Sequence, residues 1–448
     1  MSQSENLEDG TSVTELESML PSDSGAFVKL SASLNRDHYQ PAGDDATRYL
    51  YVEVSTKKYE SQKERKPLNI SLVIDKSGSM EGDKMTFVKE AAAFVVQHLK
   101  ATDFISVISY SDDVEVTWQA AELRDKNTLR AKIDGVFSQG STNLSGGMLQ
   151  GYSEVKTFYN EQYTNRVLLL TDGLANEGIV EPEALCNIAR SKNIEHNTTL
   201  STFGVGADFN EDLLQQMAEL GSGNYYFIES PEEIPEIFKE ELEGLLSVVA
   251  QNSTLLIELP EGVKLQQVFG YEYEQDGRQV RIAFKDLVSE EQKGVLLKLN
   301  IEGTSSSNLE FSSTLSYTDA VTDYENKKLL IHTSLEPTND LASLRESTNA
   351  TVEQWVTFYE SNFKLAEAVR LAEENQLDAA QEVLMENTFY MNSRTGTYGE
   401  SKAVQKMIEA NSKYDSTLAD PNFSSDNVIG TKSVKKEIYE LKKQKKVK

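Results

Sequence analysis

The sequence predicts a doubly wound α/β domain with a mostly parallel sheet, inserted into an antiparallel β-sandwich and followed by a C-terminal helical region. Three observations carry this prediction. Between about 68 and 248, continuous apolar runs ("LNISLVID", "DFISVISYS", "RVLLLTDG", "TTLSTFGVG") alternate with stretches of helical period such as "KMTFVKEAAAFVVQHLK". Strands that are apolar on both faces belong in a sheet covered by helices on both sides. Before and after this block the apolar residues alternate with polar ones, as in "TRYLYVEVST", "RQVRIAFKDL" and "LEFSSTLSYTD", the two-residue period of half-buried strands. From about 339 onward the pattern is helical throughout.

Taken in order, residues 1–24 are polar and acidic and predict a disordered arm. Residues 25–67 hold two strands, "AFVKLSASLN" and "TRYLYVEVST", closed by the charged linker "KKYESQKERKP". Residues 68–248 form the α/β domain, whose last helix is expected over "PEEIPEIFKEELEGLLSVV". Residues 249–336 supply six more alternating strands. In a parallel-sheet domain the first strand enters at the bottom and the last helix returns there, so both connections leave side by side. The strands before and after the insertion are therefore expected to share one sandwich. Residues 337–416 are a helical region in which "LAEAVRLAEENQLDAAQEVLMEN" resembles one repeat of a helical-hairpin array. A single repeat makes no solenoid, so it is read as a packing appendage. Residues 417–448 end in "KSVKKEIYELKKQKKVK", a basic, solvated tail on an acidic protein, with the protein's own acidic surface as a docking place.

The chain has 448 residues, with 44 Lys plus Arg against 72 Asp plus Glu, a formal net charge of −28. That field repels nucleic-acid phosphates and anionic lipid and disfavours both as partners. One cysteine, Cys186, permits no internal disulfide and reads as a small core residue. The start lacks the basic and apolar regions of a signal peptide. No apolar run reaches the roughly 18–20 residues needed to span a membrane. A cytoplasmic location is the expectation, and the oligomeric state is left open.

Three features fall at strand ends of the α/β block. "DKSGSM" puts Asp75, Ser77 and Ser79 on alternate positions after the first strand, with Gly78 expected to let the backbone bend. "QGSTNLSGG" carries Thr142 ahead of a helix, and "LLLTDG" closes a buried strand on Asp172. In a doubly wound sheet these loops lie on one face, near the topological switch point. Two carboxylates and three hydroxyls then converge, a hard all-oxygen set that suits Mg²⁺ or Mn²⁺. Neutral hydroxyls leave the ion's charge only partly neutralised, so it keeps an open position for a carboxylate from another protein. Taken singly, a Ser-rich loop caps a helix and "TDG" is an ordinary turn; the combination is what points to a metal.

The signature "DKSGSM … GSTN … LLLTDG", in the setting "STFGVGADFNEDLLQQMAELGSGNYYFI", resembles a von Willebrand factor type A domain with an intact metal-ion-dependent adhesion site. Within that family it is similar to bacterial relatives of inter-alpha-trypsin-inhibitor heavy chains and chloride-channel regulators. The resemblance implies metal ligation by Asp75, Ser77, Ser79 and Thr142, with Asp172 bonding directly or through water, and Mg²⁺, Mn²⁺ or Ca²⁺ as the ion. The family often has a small or apolar residue where this chain has Lys76, which at an alternate position is expected to point away from the ion. Glu81 and Asp83 resemble acids that hold a second metal in integrin relatives, but here they fall near a helix start, where acids suit the dipole.

The leading functional expectation is a non-enzymatic, cation-dependent protein-binding module that accepts an Asp or Glu of a partner. The insertion resembles the integrin β arrangement, so the last helix of the α/β domain is expected to transmit binding to the sandwich. One alternative is an assembly factor working with an AAA-type ATPase. Another is a Mg²⁺-dependent phosphohydrolase. Those enzymes carry D-x-D at this position, where this chain has Ser77, and the four histidines (His38, His98, His196, His332) fall outside the three loops.

Overall fold

A computed structural model of the protein describes residues 21–41, 46–59, 66–206, 208–302, 307–322, 324–419 and 434–439. Ser22–Ser24 (β1), Val28–Leu34 (β2), His38–Tyr39 (β3) and Thr47–Thr56 (β4) come first. The α/β unit then runs through Leu68–Asp75 (β5), Asp83–His98 (α1), Phe104–Tyr110 (β6), Val114–Glu122 (β7), Lys126–Asp134 (α2) and Leu144–Thr157 (α3). It continues with Thr164–Thr171 (β8), Pro182–His196 (α4), Thr199–Val205 (β9), Glu211–Gly221 (α5), Ser222–Ile228 (β10) and Ile234–Leu246 (α6).

The sheet order is β10-β9-β8-β5-β6-β7, and only the edge strand β7 is antiparallel to its neighbour. Strands β5, β8 and β9 are buried at every position, as their unbroken apolar runs require. Val88, Val95, Leu129 and Phe238 of α1, α2 and α6 cover one face. Met148, Leu185, Cys186 and Met217 of α3, α4 and α5 cover the other, which makes Cys186 a core residue.

After α6 follow Val248–Glu258 (β11), Val263–Phe269 (β12), Glu274–Asp276 (β13), Gln279–Val288 (β14), Gln292–Ile301 (β15), Leu309–Asp319 (β16) and Asn326–Pro337 (β17). They build two sheets, β1-β2-β4-β15-β12 and β13-β14-β11-β16-β17-β3. Strand β4 pairs with β15 along its length, and β3 pairs with β17. Strands from before and after the α/β unit thus share both sheets. Leu50, Val52, Leu297 and Leu315 lie in the core between them.

Helices Leu341–Glu346 (α7), Ala350–Glu373 (α8), Leu377–Tyr398 (α9) and Lys402–Leu418 (α10) follow. Tyr51, Phe269 and Leu296, on the other face of the first sheet, pack with Val356, Phe358 and Tyr359 of α8. That is why β4 is more buried than a one-sided strand. Among the described residues no helix is long and apolar enough to cross a membrane.

Three local expectations change. Ser22–Ser24, read as part of the arm, pair with β2; residues 1–20 lie outside the described residues. The helix expected through "LLSVV" stops at Leu246, and β-branched Val248 and Val249 begin β11, in line with their strand preference. Of the basic tail, residues 434–439 are helical and docked, with Val434 and Tyr439 each 2% exposed. Residues 420–433 and 440–448 lie outside the described residues, as do 60–65 of the linker.

Candidate metal centre

Strand β5 ends on Asp75 and its parallel neighbour β8 on Thr171, so Asp75 and Asp172 emerge side by side at the carboxyl end of the sheet. Both carboxylates are fully buried. Asp75 Oδ1 accepts the Ser77 amide at 2.8 Å, and Oδ2 accepts the Thr171 hydroxyl at 2.7 Å. The Tyr110 hydroxyl lies 3.4 Å from the same oxygen. Burial pushes the Asp75 carboxyl up to about 6; the hydrogen bonds from Thr171 and Ser77 pull the other way, and the Asp172 charge adds to the rise.

The hydroxyls gather over these acids. Ser77 Oγ lies 3.1 Å from Ser79 Oγ, and Ser79 Oγ donates to Asp172 Oδ1 at 2.7 Å. Thr142 is 3% exposed. A Cβ placed on Gly173 would lie 3.6 Å from Thr142 Oγ1 and 3.8 Å from Ser79 Oγ, so these two hydroxyls converge over one glycine. All five sequence-selected residues therefore meet at one end of the sheet. Ser79 is exposed above buried Asp75 and Asp172, so the cluster opens to solvent on its Ser79 side.

The loops are held by contacts that sequence reasoning missed. Gly78, assigned the bend, does not have a positive φ; it begins a 3₁₀ turn over Gly78–Met80. In the first two loops the left-handed positions are Gly82 (φ 84°) and Gly140 (φ 79°). At Gly140 a Cβ would meet Asp112 Oδ2 at 2.1 Å, and its carbonyl accepts the Gly78 amide at 3.0 Å, tying the first loop to the second. Asn176 ties the second loop to the third: its Oδ1 accepts the Thr142 amide at 2.8 Å, and its own amide donates to the Thr142 carbonyl at 3.2 Å. Asn143 accepts the Gly146 amide and caps α3. Lys76 turns away as expected, its Nζ 2.9 Å from Glu115 on β7. Glu81 and Asp83 are exposed, with Asp83 opening α1.

The largest omission is Lys84. Its Nζ lies 2.5 Å from Asp172 Oδ2. A signal was present in the sequence: Lys84 falls in the first turn of α1, where the helix dipole disfavours a cation. Two buried carboxylates side by side are costly without a positive partner, and here the ammonium supplies it. The donor set is otherwise all oxygen. Among the described residues no group of three or more His, Cys, Asp or Glu is placed to hold a metal, so any ion here depends on the hydroxyls. This chemistry fits Mg²⁺, Mn²⁺ or Ca²⁺ and does not fit a soft-ligand zinc site.

The comparisons with known proteins agree with this fold. The family whose sequence profile matches is the von Willebrand factor type A domain, over residues 69–240. The chain is 31% identical over 229 residues to the uncharacterized protein YfbK of Escherichia coli (strain K12), covering 50% of this chain and 40% of that protein. It is 28% identical over 278 residues to human inter-alpha-trypsin inhibitor heavy chain H3, covering 59% and 29%. The match to each of these two relatives thus spans less than half of that relative's length. Two solved structures share the fold: a von Willebrand factor type A protein from Catenulispora acidiphila and the ArnB paralog VWA2 from Sulfolobus acidocaldarius. The first has a TM-score of 0.70 at 15% identity, the second 0.62 at 19%, each covering 94% of this chain and 99% of the other. Residues 69–240 of this chain thus match the von Willebrand factor type A domain, a family of protein-interaction modules that are generally non-enzymatic and commonly bind a divalent metal.

Proposed function

We propose that the α/β domain is a cation-dependent protein-binding module. Asp75, Ser77, Ser79 and Thr142, with Asp172 directly or through water, would hold Mg²⁺, with Mn²⁺ or Ca²⁺ as substitutes. The bound ion would supply an electrophilic position for an Asp or Glu carboxylate of a partner protein. The observation that carries this reading is the pair of fully buried carboxylates, Asp75 and Asp172, beneath the exposed Ser79 hydroxyl. Such a cluster calls for positive charge, which the Lys84 ammonium brings to Asp172 when no metal is bound, and it leaves one side open to a partner.

The chain's own residues have distinct parts. Thr171 and the Ser77 amide orient Asp75. Asn176 fixes the backbone of Thr142. Lys84 neutralises Asp172 until a metal takes its place, and must then swing off that oxygen. The acidic surface leaves a protein partner favoured over nucleic acid or anionic membrane. The test is capture of partner proteins on immobilised full chain in Mg²⁺ and in chelator, with Asp75→Ala as control. Capture that needs both Mg²⁺ and Asp75 supports the reading; equal capture in chelator rejects it.

A further inference from the structure

A cavity of about 670 Å³ lies at the other end of the α/β sheet from the Asp75 cluster, where the domain meets β14 and β15. Arg166, in its wall, sits five residues before Thr171 on β8, roughly 17 Å along the strand. Eight carboxylates, among them Glu219, Glu240, Glu272 and Glu274, line the cavity with four cationic side chains. Two of those cations are engaged internally. Arg166 pairs with Glu241 and Asp286 at 3.3 and 3.5 Å, and Lys293 pairs with Glu291 at 3.3 Å. The lining thus carries a formal charge of about −4. Three buried polar atoms in its wall, Arg166 Nε, Ser222 Oγ and Tyr271 Oη, have no hydrogen-bond partner among the described residues.

The docked helical residues 434–439 lie beside this cavity, along a small cleft next to it. Lys435 bridges Asp212 of α5 (3.1 Å) and Glu373 of α8 (2.7 Å). The Tyr225 amide, on the edge strand β10, donates to the Tyr439 hydroxyl at 3.2 Å. Tyr439 and Lys436 share a small cleft with Tyr226 and Glu240, and both of these also line the large cavity. The next residues in sequence, 440–448, read "ELKKQKKVK": five lysines and one glutamate, a net +4.

We propose that residues 440–448 of this chain occupy the cavity as an intramolecular, lysine-rich ligand. Nine residues reach about 30 Å when extended, ample from an anchor in the adjoining cleft. The lysines match the carboxylate lining in charge. The orphaned atoms select a peptide over a polyamine: Arg166 Nε can only donate, so it needs an acceptor, and backbone carbonyls supply one where a polyamine has none. Glu240, Glu241, Gly244 and Leu245 of α6 form part of the wall, so the occupant bears on the helix that leads into β11.

Zero-length carbodiimide coupling of lysine amines to carboxylates, read by mass spectrometry on the full-length monomer, tests this. The expected result is cross-links from Lys442, Lys443, Lys445, Lys446 or Lys448 to Glu219, Glu240, Glu272 or Glu274. Those to Glu219 and Glu240 should fall at least tenfold in Glu272→Gln/Glu274→Gln, whose replaced side chains are exposed, and all should be displaced by excess synthetic peptide of residues 440–448. Cross-links scattered over acids elsewhere, such as Glu310 or Asp113, overturn the proposal. So do cross-links found only between ¹⁴N- and ¹⁵N-labelled copies, which indicate a second chain, and displacement by spermine as readily as by the peptide, which indicates a simple cation site.

Discussion

Lys84 Nζ lies 2.5 Å from Asp172 Oδ2, so a side chain of the protein neutralises the carboxylate at which a metal is proposed to bind. Lysine and metal compete for one charge. Lys84→Met should therefore lower the stability of the metal-free protein by about 1–3 kcal/mol, because Asp172 is buried and the lysine only partly so. Mg²⁺ should restore more stability to the variant than to the wild type. Thermal melts with and without Mg²⁺ check this; an unchanged metal-free melting temperature contradicts the competition.

Asn176 positions Thr142 without being proposed as a ligand. Asn176→Ala should weaken divalent-cation binding about tenfold or more, the scale of lost outer-shell contacts. Its stability should fall by only about 1 kcal/mol. Calorimetric titration with Mn²⁺ beside a urea melt separates the two effects, and a stability loss without an affinity loss would assign Asn176 a purely structural part.

Arg166 joins three elements, with Glu241 on α6 and Asp286 on β14. Glu241 also accepts from Ser201, Asn224 and Tyr226 at 2.6–2.8 Å. Arg166→Met leaves that buried acid without its cation and should cost about 3–5 kcal/mol in urea melts. Adding Glu241→Gln should recover a large part of the loss. A single variant as stable as wild type would show that the pair contributes nothing across this junction.

The helices are held to the sandwich through Glu360. It accepts from Tyr49 (2.5 Å), Tyr390 (2.5 Å) and Lys298 (3.1 Å). Burial acts to raise its pKa, but the hydrogen bonds from Tyr390 and Tyr49 and the Lys298 charge outweigh it and hold the carboxyl below the ordinary glutamate range. A carboxyl lowered on folding stabilises above its unfolded pKa, about 4.3, and that stability is lost as pH falls through the folded value. Glu360→Gln should therefore lose stability at pH 7 and show a shallower decline below about pH 4. Parallel acid limbs for variant and wild type would contradict this.

How much was legible depended on whether a signal lay within one stretch of chain. An apolar run ending on Asp75, with hydroxyls at 77 and 79, shows locally, and so do Thr142 before a helix and Asp172 after a strand. The partners that hold these residues come from other elements: Thr171 reaches Asp75 from 96 positions away and Asn176 reaches Thr142 from 34. No periodicity encodes such contacts. Gly78 begins the turn expected of it, but the left-handed bends of the first two loops fall at Gly82 and Gly140, because a glycine's φ is set by the path of the folded loop. The docked tail carries a faint signal, with Val434 and Ile438 one turn apart on one helical face, but the surrounding lysines give it the pattern of a solvated segment.

The central claim is that Asp75, Ser77, Ser79, Thr142 and Asp172 hold a divalent cation in place of the Lys84 ammonium. Anomalous diffraction from crystals of the full chain grown with Mn²⁺ reads this directly. The account predicts a peak at bonding distance from the oxygens of Asp75, Ser77 and Ser79, with Lys84 Nζ moved off Asp172. A map with no peak there, and Lys84 still on Asp172 at saturating Mn²⁺, would contradict it.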